Sequence, residues 1–294
     1  MTNFNNAISS DKKIILYHSE NIDFYSQWIN TSEMRDLQQL INQKSKNVCV
    51  LAHGVNENFP FKYINHFDFW IDIKNRNNGI QLSNAVKHKD KDFLFLTRRA
   101  TEHRRQLREK LQMKGCLENS LYSYIDGGDK RHLPREYEHE KFNDPIFKSQ
   151  QCYYEPAIWN LLPQQYNATK YSIVPETVET NYVHCLSEKI FKPIIGGHLF
   201  VVFAGAGYLS YLRSIGFKTF GDYIDEGYDD ELDAKCRIDK IVQVCNSLRQ
   251  EDYNTLHQKI QGILQHNYEL FFNDGHLQLL NTHIMERVKS HFEN

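Results

Sequence analysis

The chain has 294 residues, 40% of them hydrophobic and 24% charged, and its 35 basic and 37 acidic side chains leave a formal charge of −2. That balance excludes a disordered tail, a collagen, a disulfide miniprotein and a strongly basic nucleic-acid coat. At roughly 100–200 residues per domain, the length calls for two domains with a cleft between them.

The polar start, Met1-Thr2-Asn3-Phe4-Asn5-Asn6, lacks the basic and apolar regions of a secretory signal. Ile14 to Tyr17, Val48 to Ala52 and Phe67-Asp68-Phe69-Trp70-Ile71, short apolar or alternating runs bounded by polar turns, read as strands. Between the first two, Thr31-Ser32 can cap a helix whose Met34, Leu37, Leu40 and Ile41 share one face. Strand, helix, strand is the grammar of a parallel sheet. A polar stretch ending near residue 88 sets the first domain boundary, and the pattern restarts with strand Phe93 to Leu96, helix Glu102 to Lys114 closed by Gly115, and strand Leu121 to Ile125. From Gly127 to about Gln165 the pattern weakens into a long insertion or loop, of a length that suits a lid.

Order returns with strand Lys170 to Val174, a helix beginning near Ser187, the apolar strand His198 to Phe203, a Gly205-Ala206-Gly207 turn and a helix from Tyr208 to Ser214. Three amphipathic helices finish the chain: Asp230 to Arg249, a second through Leu256, Ile260, Ile263 and Leu264, and a third through Leu277, Leu280, Ile284 and Val288. The longest apolar run, Leu199 to Ala204, is far short of the ~20 residues of a membrane helix, so no membrane span is expected. Six cysteines, Cys49, Cys116, Cys152, Cys185, Cys236 and Cys245, stand singly without a Cys-x-x-Cys pair. Reduced thiols and a cytoplasmic location are the expectation. The expected fold class is α/β, two Rossmann-like domains facing a cleft: residues 1–88, residues 89–265, and a C-terminal helix, 266–294, that is a candidate to pack back on the first domain.

Two segments carry candidate chemistry. In Leu186-Ser187-Glu188-Lys189-Ile190-Phe191-Lys192-Pro193, a Glu-Lys pair opens a helix just after a strand, which can set a carboxylate beside a ribose and an ammonium beside a diphosphate, with the helix dipole favouring the anion. Ordinary surface charges at a helix start explain the pair as well. In Thr97-Arg98-Arg99-Ala100-Thr101-Glu102-His103-Arg104-Arg105, arginines follow the carboxyl end of a strand, where α/β sheets gather ligands. Basic residues at a helix start oppose the dipole unless an anion is present. Gly205-Ala206-Gly207 is only a fragment of a dinucleotide fingerprint and reads first as a tight turn. The acidic run Asp222, Asp225, Glu226, Asp229, Asp230, Glu231 and Asp233 reads as helix caps and first-turn charges, and no metal is expected.

The block from Ser187 to Pro193, with Gly207-Tyr208-Leu209-Ser210-Tyr211-Leu212-Arg213-Ser214-Ile215-Gly216-Phe217-Lys218-Thr219-Phe220, resembles the donor-binding domain of fucosyltransferase-like GT-B glycosyltransferases. Phe95-Leu96-Thr97-Arg98-Arg99-Ala100-Thr101-Glu102-His103-Arg104 resembles the first strand and helix of the same domain in bacterial and viral relatives. The resemblance covers roughly residues 90 to 240 and implies an inverting, metal-independent transfer of fucose or a similar sugar from a GDP- or UDP-linked donor, with no other cofactor. It assigns Glu188 to the nucleotide ribose and Lys189 with Arg98 or Arg99 to the diphosphate. Lys192, Tyr208 and Tyr171 are further candidates near that pocket. The first domain shows no matching motif for the acidic base, and Glu57, His53 and Asp68 are the candidates there. The implied acceptor is a glycan. Alternatives are a hydroxymethylated base in DNA, for which the basic stretch Asp129 to Tyr137 is a candidate surface, and a catalytically silent sugar-nucleotide binding protein.

Overall fold

The computed structural model describes residues 13–21, 39, 41, 43, 46–56, 62–82, 89–97, 101–123 and 160–293. Strands β1 (Ile14–Asn21), β2 (Val48–His53) and β4 (Ile64–His66) form a parallel sheet in the order β1-β2-β4. One face of it packs Val48 and Val50 against Ile41, and the other sends Cys49 and Ile64 into the main core. Of the helix expected from Met34 to Ile41, only Gln39 and Ile41 lie among the described residues, and both are helical.

The strand expected at Phe67 to Ile71 is instead helix α1 (Asp68–Arg76). The segment is apolar at every position but Asp68, which suits a short buried strand, but Phe67, Trp70 and Ile73 also recur at helical spacing. The helical choice buries all three, with Trp70 against Phe191, Phe217 and Phe271. The strand is the shorter β4, just upstream.

The second sheet is parallel throughout, in the order β6-β5-β7-β9, from β5 (Lys91–Leu96), β6 (Leu121–Ser123), β7 (Thr169–Pro175) and β9 (Leu199–Phe203). Every residue of β9 is buried, as its uninterrupted Leu-Phe-Val-Val-Phe run requires of a strand covered on both faces. Helices α2 (Glu102–Met113), α3 (Pro163–Ala168), α4 (Glu188–Ile195) and α5 (Tyr208–Ser214) connect and cover these strands. Gly115 ends α2 at φ +73°, the left-handed position expected of it. Of the long segment expected to be loop, residues 124–159 lie outside the described residues, and Pro163–Ala168 is helix.

Three helices finish the chain: α6 (Ala234–Gln250), α7 (Tyr253–Phe272) and α8 (Asp274–Glu293). The start of α6 falls after Asp230 because Asp233, whose carboxylate accepts from the Cys236 N–H at 2.8 Å, is the residue that caps it. The expected division at 265/266 falls inside the continuous helix α7. The break comes at Asn273, beyond which α8 lies against β2 and β4, and His291 Nε2 bonds the Val48 carbonyl at 2.9 Å.

Parallel strands present all their carboxyl ends at one edge. Two-residue strands β3 (Val55–Asn56) and β8 (Val183–His184), one in the loop after β2 and the other in the loop after β7, pair antiparallel. That pairing brings the carboxyl edges of the two sheets face to face. The chain is therefore α/β with two Rossmann-like parallel sheets facing a cleft and C-terminal helices.

Candidate functional site

On the second sheet's side, the site is built at the start of α4. Ser187 is extended (φ −114°, ψ 177°) and its Oγ accepts from the Lys189 backbone N–H at 3.2 Å, a capped helix start that leaves Glu188 and Lys189 in the first turn. Lys189 Nζ donates to Glu188 Oε1 at 2.7 Å and stands 4.0 Å from Glu176 Oε2. Burial pushes the Glu188 carboxyl up, but the charge and hydrogen bond of Lys189, with the charge of Lys192, outweigh it and hold the group below its ordinary value. Lys192, one turn on and buried, is lowered to about 8 by burial, with Glu188 pulling it up and Lys189 pushing it down.

Glu176 is the residue that the sequence reading missed. It follows Pro175 at the carboxyl end of β7 and is 3% exposed. Its carboxylate accepts from Ser187 Oγ, at 2.7 Å to Oε2, and from the Tyr208 hydroxyl, at 3.1 Å to Oε1. Burial raises its pKa. Arg104 of α2 clamps the same strand end, its guanidinium donating to the carbonyls of Pro175 and Glu176 and to Thr177 Oγ1. A lone acid after a proline carries no local signal. Only its place at the carboxyl end of a parallel strand marks it.

The first sheet's edge supplies His53, His66 and Asp68. His53 ends β2, and its two ring nitrogens face carbonyls, Nε2 that of Leu186 at 2.8 Å and Nδ1 that of His66 at 3.2 Å. A neutral ring has one N–H to give; the shorter contact assigns it to Leu186, directly across the cleft beside Ser187. Burial lowers His53 to about 4. Asp68, the first residue of α1, keeps a side chain 47% exposed and accepts from the Tyr17 hydroxyl, with His66 Nδ1 3.6 Å from its other oxygen. Burial raises its pKa.

Of the residues predicted from sequence, the structure brings His53, Asp68, Glu188, Lys189, Lys192 and Tyr208 to the facing edges. Tyr208 is buried, its hydroxyl turned to Glu176. Tyr171 is not brought there. It sits five residues before Glu176 along β7, about 16 Å at strand rise, and packs on Phe93 and Tyr253 toward the opposite edge. Glu57, Arg98, Arg99 and the stretch Asp129 to Tyr137 lie outside the described residues.

The acidic run does supply caps. Asp229 accepts from the Leu209 and Ser210 N–H groups at the start of α5. Among the described residues, no group of three or more His, Cys, Asp or Glu side chains is placed to hold a metal ion, and no helix is long and apolar enough to cross a membrane. Cys49, Cys116, Cys185, Cys236 and Cys245 are free thiols.

Fold and site together define an α/β protein with a polar cleft between two parallel sheets, lined by lysines paired with glutamates at a capped helix start on one side and by Asp68 with two histidines on the other. No protein-family model matches the chain, and no curated protein matches it. Among solved structures it is similar to a T4 phage BGT mutant in complex with UDP-glucose, at 11% identity over 96% of this chain and 74% of that one, with a TM-score of 0.39.

Proposed function

We propose that this chain is a glycosyltransferase that takes a nucleotide-activated sugar against α4 and an acceptor hydroxyl against Asp68. The observation that carries the reading is the meeting of two dissimilar groups across one cleft. Lys189 and Lys192 stand at and behind a helix N-terminus, and the His53 to Leu186 hydrogen bond joins that start to the edge that holds Asp68. A helix start with two ammonium groups suits a diphosphate, and Glu188 suits the hydroxyls of a ribose.

The reaction is a single displacement. The acceptor oxygen bonds to the anomeric carbon and gives its proton to Asp68, while the bond from that carbon to the diphosphate oxygen breaks on the opposite face. A carboxyl raised by partial burial is a stronger base than a free one, and Asp68 has the exposure to reach an acceptor. Lys189, Lys192 and the α4 N–H groups take up the charge that develops on the departing diphosphate, an electrostatic role that needs no metal. The sugar is fucose or a similar hexose, GDP- or UDP-linked, and the acceptor is a glycan.

The test is transfer or donor hydrolysis with GDP- and UDP-sugars in the presence of EDTA. Asp68→Asn is expected to lower kcat by roughly 10²- to 10⁴-fold with donor binding kept. Lys189→Ala is expected to lower kcat by roughly 10²- to 10³-fold. Unchanged turnover in both variants would remove the assignment. Turnover on hydroxymethylated DNA and not on glycans would move the acceptor to the nucleic acid.

A further inference from the structure

A carboxylate taken out of water is costly unless donors replace its hydration. At Glu176 two hydroxyls do this on different oxygens, Ser187 Oγ at 2.7 Å to Oε2 and Tyr208 OH at 3.1 Å to Oε1. A hydroxyl has one proton and two lone pairs. Since the Ser187 proton goes to Glu176, its lone pairs are turned toward Lys189, whose backbone N–H is 3.2 Å away and whose ammonium is 3.3 Å away. Glu176 therefore sets the rotor that caps α4 and one of the oxygens to which the Lys189 ammonium donates. The same ammonium stands 4.0 Å from the Glu176 carboxylate itself.

We propose that Glu176 is a positioning residue of the donor site: through the Ser187 hydroxyl that it orients, and through its own carboxylate, it holds the Lys189 ammonium where that ammonium meets the diphosphate of a nucleotide-sugar. This rests on the glycosyltransferase reading and adds a residue to it. Three roles give three different outcomes. A positioning role makes neutral Gln a poorer holder of Lys189, so nucleotide affinity falls through Lys189. A carboxylate that merely repels an anion gives the opposite sign, with Gln improving affinity. A carboxylate that only anchors the fold changes stability without coupling to Lys189.

The experiment is a double-mutant cycle read by calorimetric titration of GDP and UDP into wild type, Glu176→Gln, Lys189→Ala and the double variant, with EDTA present. Glu176→Gln is expected to weaken binding of the preferred nucleotide on the order of tenfold, as for loss of a charged hydrogen bond, and to have no effect once Lys189 is alanine. Tighter binding by Glu176→Gln, or additive effects in the cycle, would overturn the positioning role. If Glu176→Gln does not fold, Tyr208→Phe removes a single hydrogen bond from the same carboxylate and is expected to show the same coupling at smaller size. Failure of the wild-type protein to bind either nucleotide removes the donor-site reading and this role together, whereas wild-type binding with an additive cycle removes this role alone.

Discussion

Gly205 and Gly207 bracket the turn after β9, and only physical detail separates their roles. A Cβ on Gly205 would stand 1.9 Å from the Thr180 carbonyl oxygen, where no real Cβ sits, and that neighbour is backbone in a loop fixed by other bonds. Asn181 Oδ1 accepts from the Ala206 N–H at 3.1 Å and from the buried Arg237 guanidinium. Gly207 instead has φ +85°, and its Cβ would meet the His184 ring at 3.4 Å, ordinary contact. Alanine at 207 costs backbone strain of about 1–2 kcal/mol, and alanine at 205 must push the 177–182 loop off the turn, about 3 kcal/mol or more. Urea unfolding should rank Gly205→Ala as clearly the more destabilised. The reverse order would mean that this loop gives way freely.

At the scale of elements, α4 differs from the other capped helices because its cap is itself held. Asp233 caps α6 from the surface, whereas the Ser187 hydroxyl also donates to a buried carboxylate. Ser187→Ala loses both bonds and is expected to cost about 2 kcal/mol, and more than Asp233→Ala in thermal unfolding. Equal losses would show that the bond to Glu176 contributes nothing to stability. The local half of this arrangement was legible in the sequence. Ser before Glu-Lys and an apolar face is a helix start, and Leu199 to Phe203 reads as a strand because five apolar residues in a row suit only a doubly covered position. The long-range half was not legible. β3 and β8 are two residues each and pair only because two loops far apart in sequence meet. Glu176 gains its meaning from Ser187 and Tyr208, 11 and 32 residues further on. Phe67 to Ile71 suits a short apolar strand or a helix alike, and the aromatic pocket around Trp70 decides between them.

Over the whole molecule, buried histidines tie stability to pH. Burial lowers His53, His103 and His184 to about 4 each, and His198 well below its ordinary value. Their surroundings differ. His53 faces the Leu186 carbonyl, the His66 ring and the charge of Glu188; His103 faces Arg104, Glu102 and Glu179; His184 lies against the rings of Tyr208 and Tyr211; His198 faces Lys89, Ser172 and the Tyr166 carbonyl. In each, the folded state refuses a proton that the unfolded chain accepts below about 6.5. The unfolded state therefore binds more protons between pH 6.5 and 4, and stability must rise with pH across that window and fall as the solution is acidified. By pH 5 a histidine displaced to about 4 has withdrawn on the order of 2 kcal/mol. The buried carboxyls of Glu176, Glu226 and Asp229, raised by burial, act in the opposite sense just above the ordinary carboxylate range and offset some of the loss. Urea midpoints measured from pH 7.5 to 4.5 should fall steeply below 6.5. His53→Gln, which keeps a donor for Leu186 without a titrating ring, should flatten the slope by one proton's share. A slope left unchanged by His53→Gln would show that this ring is reached by water in the folded protein, and the packing that joins the two sheets through His53 would be looser than the geometry assigns.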